Sequence, residues 1–178
     1  MLDHPAQAER ESPVASDSYI DALEIHPSLL ALLGRVVAHW SYVETLESDF
    51  LAYLVDGNPI ALRGITRHCS AGAVTDWVRI LATHRFTGDA MAGRMRDLFE
   101  RIERTRAERN AYVQGLWRAG PEPVTALVRT VRRDRQELIG DELVAPDDLK
   151  NLLKVIAEIH DDLAAFGRQL GFHPTPET

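Results

Sequence analysis

The chain has 178 residues, 45% of them hydrophobic, and a formal net charge of −7, which gives room for one domain with a sizeable core. That charge excludes a surface that coats nucleic acid or anionic lipid non-specifically, and no apolar run reaches the roughly 18 residues of a membrane span. Cys69 has no second cysteine to pair with, and the first residues lack the basic-then-apolar order of a secretory leader, so a cytoplasmic setting is expected.

Residues 1–18 are polar and aperiodic and are expected to form a mobile tail. Residues 19–173 read as one helical domain, and 174–178 as a C-terminal tail. Pro27 suits the first position of a helix that continues to Val55, with Leu29, Leu33, Val36, Trp40, Val43, Phe50, Leu51 and Leu54 on its apolar side. Glu44 falls within that side, one turn beyond Trp40. Asp56-Gly-Asn-Pro59 stops the helix. A short helix over 60–68 and another over 73–84 follow, the latter burying Val74, Trp77, Val78 and Leu81. Asp89 is placed to cap a fourth helix running from about Ala90 to Tyr112. Its outer face interleaves arginines with carboxylates, the pattern of a solvated, salt-bridged surface.

After the turn cluster 118–123 the pattern changes. Residues 124–131 and 137–144 read as two strands of a hairpin, turning at 132–135. Pro146-Asp-Asp148 opens a last helix with a broad apolar face from Leu149 to Leu170. The expected fold is mainly α: an antiparallel bundle of four main helices, with a short extra helix and a small β-hairpin inserted before the last one.

No pair among the seven histidines and Cys69 has metal-ligand spacing, and there is no phosphate loop, nucleophile elbow or dinucleotide fingerprint. Neither a metal nor a cofactor is expected. The chemistry concentrates at the end of the fourth helix, in Thr105-Arg-Ala-Glu-Arg-Asn-Ala-Tyr-Val-Gln-Gly-Leu-Trp117. Counting back from Val113 by threes and fours gives Arg109, Thr105, Ile102, Leu98, Met95 and Met91. That stripe is apolar until Arg109. A guanidinium on an inward face must be paired or must serve a ligand. Glu44 is the opposite charge on the facing stripe, so a structural Arg109–Glu44 pair is one expectation.

The long helix with Trp40-Ser-Tyr-Val-Glu44, the later Arg109-Asn110, the Gly115-Leu-Trp117 and the hairpin before an acid-opened helix resemble the HEPN superfamily over about 28–171. The resemblance implies a cytoplasmic homodimer linked to RNA or a nucleotide, in toxin–antitoxin or defence systems, with a cognate antitoxin or nucleotidyltransferase as partner. Active members cut RNA without a metal, using an Arg, a following polar residue and a His. Arg109 and Asn110 match the first two places, but Gln114 stands where the His belongs. An amide cannot exchange a proton near neutral pH, although it can hydrogen-bond a phosphate or base edge. The tyrosine that partner nucleotidyltransferases modify in one subgroup is replaced by Leu116.

Three readings follow. In the first, the domain is a non-catalytic dimeric binding or regulatory module, using Arg109, Asn110 and Gln114, with Glu44, Trp40, Tyr112 and Trp117 as binding or structural neighbours. In the second, it is a toxin-like ribonuclease with altered catalytic partners, His39, His68 or His84 among them. In the third, Arg109 and Glu44 merely lock two helices in a protein of unrelated function.

Overall fold

The computed structural model describes residues 26–86, 88–132 and 137–171. The expected tails over 1–18 and 174–178, and turn positions 133–135, lie outside the described residues.

Helix α1 (Pro27–Leu54) contacts every other helix. Leu29, Leu32, Val36, Trp40, Val43, Phe50 and Leu54 recur at helical spacing and are buried, which makes α1 the spine of the core. The chain leaves it through Asp56 at a left-handed φ of 51°. Asn58 then accepts from the Ala61 amide at 3.1 Å to start α2 (Pro59–Thr66). Ser70 caps α3 (Ala71–Arg85) in the same way, accepting from the Ala73 amide at 3.2 Å.

Because α2 returns the chain, α3 runs beside α1 in the same direction. Thr75 meets Glu47, and a helix length later Arg85 donates to the Leu54 carbonyl at 2.8 Å. Helix α4 (Asp89–Gln114) runs back, and α5 (Pro146–Gln169) reverses again to lie along α1. The Phe50 and Phe166 rings meet edge-to-face at 5.9 Å, and the Tyr53 hydroxyl donates to the Leu170 carbonyl at 2.6 Å. Counting the short α2, consecutive helices therefore alternate in direction, so that α1, α3 and α5 run one way and α4 the other. Leu149, Leu152, Ile156, Ile159, Leu163 and Phe166 of α5 are all buried within the chain's own core.

Between α4 and α5 stands a three-stranded antiparallel sheet of β1 (Leu116–Ala119), β2 (Ala126–Arg132) and β3 (Glu137–Val144), in that order. Two strands were expected here. The third is Leu116–Ala119, which pairs with β2 from Leu116↔Arg129 to Ala119↔Ala126. It places Trp117 on a strand rather than on a helix face.

Two further expectations are corrected. Gly88, not Asp89, is the N-cap of α4, and Asp89 is its first residue. Trp77 is 42% exposed, because Val74, Val78 and Ala82 form the buried side of α3. The charged face of α4 ties helices together rather than being only solvated: Arg101 donates to Asp162 of α5 at 2.6 Å.

Candidate functional site

Met95, Leu98, Ile102 and Thr105 are buried as the stripe on α4 requires, and Arg109 is half-buried one turn further on. Its Nη1 donates to the Asn110 Oδ1 at 2.8 Å. Its Nε is buried without a hydrogen-bond partner. Among the described residues no carboxylate pairs with it.

The expected Arg109–Glu44 pair is not formed. Glu44 instead accepts from the buried Trp40 indole nitrogen at 2.8 Å, one turn back on its own helix. Gln114 is exposed at the last residue of α4. Five residues turn a helix by about 140° from a starting face, so Arg109 and Gln114 do not share one. Among the described residues no histidine hydrogen-bonds Arg109. His39 packs edge-on to Tyr42, and His68 accepts from the Arg67 Nε at 3.1 Å.

Tyr112 and Trp117 pack together in the core beyond Arg109. Trp117 donates from its indole nitrogen to the Tyr112 carbonyl at 2.7 Å, inside the core. Between them Gly115 lets β2 close on α4, since a Cβ there would strike the Val128 side chain and the Ala111 carbonyl. The Tyr112 hydroxyl makes a long hydrogen bond to Glu142 at 3.4 Å. Burial, then the charges of Glu142, Glu108 and Asp148, push its pKa up, so it stays a neutral phenol. Burial and the same acidic neighbours, Glu142 and Asp148, also raise Glu108.

The buried acid that does join α1 to α3 and α4 is Glu47, only 1% exposed. The Thr75 hydroxyl donates to its Oε1 at 2.7 Å, and Arg106 Nη1 donates to the same hydroxyl at 2.7 Å. Burial raises its pKa from the ordinary 4.5 to about 7. The Thr75 hydrogen bond and Arg106 oppose that rise, while Glu44 and Glu103 add to it. Two residues on from Glu47, Asp49 is also buried, where it accepts from the Arg63 Nε at 2.6 Å.

Glu47 and Asp49 are absent from the sequence-derived site. The signal for Glu47 was present: counting by threes and fours from Trp40 gives Val43, Glu47 and Phe50. Asp49 carries no such signal, because it is buried only through α2 folding over it. Glu44, Glu47 and Ser48 on α1 face Arg63, Thr66 and Arg67 across a cavity of about 420 Å³.

Two arrangements therefore share this part of the molecule. One is an arginine with unused hydrogen-bonding capacity at the end of α4. The other is a polar cleft bounded by α1, α2 and the start of α3. Among the described residues no group of three His, Cys, Asp or Glu side chains could hold a metal ion. No family model, no curated protein and no solved structure matches the chain.

Proposed function

We propose that the protein is a HEPN-like, dimeric binding or regulatory module that holds RNA by a phosphate at Arg109 and does not cut it. The observation that carries this reading is the state of Arg109. Its guanidinium is half-exposed, steadied only by Asn110, paired with no carboxylate among the described residues, and left with a buried unpartnered Nε. A fork with unused donors suits a phosphate oxygen. The chemistry of cleavage is not supported. Proton transfer needs a group titrating near neutrality beside the anion site; Gln114 is an amide on another face, and among the described residues no histidine hydrogen-bonds Arg109.

The third reading has lost its support, since Glu44 and Arg109 each bond a residue of their own helix. The dimer cannot rest on the apolar face of α5, which lies against the chain's own core. Exposed Val55, Ile65 and Trp77 gather with Leu62 in a shallow apolar groove between α1, α2 and α3, and it is the proposed self-association face. A toxin–antitoxin or defence role, with a cognate antitoxin or nucleotidyltransferase as partner, is the setting this reading implies.

The test is incubation of the purified protein with structured and single-stranded RNAs. Binding with intact RNA, abolished in Arg109→Ala, is expected. RNA cleavage lost in Arg109→Ala would establish the ribonuclease reading instead.

A further inference from the structure

The cleft between α1, α2 and the start of α3 plays no part in holding RNA at Arg109, yet its two sides are chemically opposed. On the α1 side three hydroxyls have already spent their protons. Ser41 donates to the Ala38 carbonyl at 2.7 Å, Thr45 to the Ser41 carbonyl at 2.9 Å, and Ser48 to the Glu44 carbonyl at 3.0 Å. Each therefore meets the cleft as an acceptor. The carboxylates beside them are half used. Glu44 gives one oxygen to the Trp40 indole and Glu47 gives one to the Thr75 hydroxyl, while the second oxygen of each receives no hydrogen bond among the described residues.

With Glu47 ionised, this wall accepts and does not donate. Arg106 already stands by Glu47 through Thr75, so a molecule that satisfies the wall must bring several N–H donors and place its positive charge at Glu44. The opposite rim differs. Arg63 is engaged by Asp49 in a two-pronged pair, so its charge is matched within the protein. Arg67 is exposed at the cleft edge, and its Nε reaches only the neighbouring His68. Among the described residues that leaves Arg67 without a carboxylate across from the acceptor wall. The cavity, about 420 Å³, falls within the range of small-molecule sites.

We infer that this cleft binds a small guanidino acid, its guanidinium seated on Glu44 and its carboxylate turned to Arg67. Neutral or purely anionic molecules leave the acceptor wall unsatisfied, and purely cationic ones leave Arg67 unmatched and closer to a like charge.

The test is a titration of the full chain, followed by amide chemical shifts, with three probes of one shape: L-arginine, L-citrulline, in which a neutral urea replaces the guanidinium, and agmatine, which lacks the carboxylate. L-arginine is expected to saturate shifts in α1 and α2, with L-citrulline and agmatine each weaker by about tenfold or more. Glu44→Gln keeps an oxygen for Trp40, so it should fold normally; it should lose L-arginine binding. Arg67→Ala should weaken L-arginine until it binds no better than agmatine, and should not weaken agmatine. Absence of saturable L-arginine binding overturns the inference. So does equal affinity for L-citrulline, or full affinity in a folded Glu44→Gln protein.

Discussion

Glu47 holds a carboxyl group in the core against a raised pKa, and the consequence for stability has a definite sign. Folding moves the group from an ordinary 4.5 to about 7. The native state therefore binds the proton more tightly than the unfolded chain, so stability is greatest below the unfolded value and falls as pH rises towards 7. The full effect is about 3 kcal/mol. Glu47→Gln retains an acceptor for Thr75 and removes the titration. Relative to the parent, it should gain stability between pH 5 and pH 8 by about 2 to 3 kcal/mol in urea unfolding. An unchanged difference between the two proteins across that range would mean that Glu47 is ionised throughout. Arg109 behaves differently. Its one hydrogen bond is to the adjacent Asn110, so Arg109→Ala should shift stability by less than about 1 kcal/mol. A large drop in melting temperature would restore a structural role. Arg109 was legible in the sequence because an arginine interrupts an otherwise apolar stripe. Glu44 was singled out for the same reason, but the tighter stripe through Trp40 and Val43 passes through Glu47. Which of two acids one turn apart is buried depends on what packs over them, here Thr75 and Arg106 from two other helices.

Among the elements, the helices were legible and the first strand was not. The α1 and α5 patterns persist over many turns and end at Pro, Gly and Asp residues with clear physical roles. Leu116–Ala119 has four residues and too little alternation to announce a strand; it becomes one because β2 supplies the partner ladder. Gly115 sits at that junction. Gly115→Ala should destabilise by about 1 to 3 kcal/mol, through the clash with Val128 and the Ala111 carbonyl. A neutral result in thermal unfolding would show that β2 can retreat from α4 at little cost. Helix α2 is fixed to α1 mainly through Arg63 and the buried Asp49, whose side chain is only 1% exposed. Removing the arginine strands that carboxylate, so Arg63→Ala should cost about 3 kcal/mol. Arg63→Ala combined with Asp49→Ala should recover part of the loss, and strict additivity of the two changes would deny the coupling.

For the molecule as a whole, a five-helix architecture with a small sheet before the last helix was readable from hydrophobic period and turn chemistry. The proposed self-association face was not. A broad apolar helix face predicts burial, and burial inside the chain satisfies it as well as burial against a partner does. The groove around Trp77 gathers part of the apolar surface that stays outside. Sedimentation should give a dimer at micromolar concentration and a folded monomer for Trp77→Glu; a parent protein that sediments as a monomer would remove the dimer. Holding RNA without cutting it is the central claim, and the most direct measurement is fluorescence anisotropy of end-labelled RNA across a salt series, with the RNA run on a gel afterwards. Salt-dependent binding, about tenfold weaker in Arg109→Ala, with full-length RNA recovered, is the predicted result. Shortened RNA, or equal binding by Arg109→Ala, would contradict it.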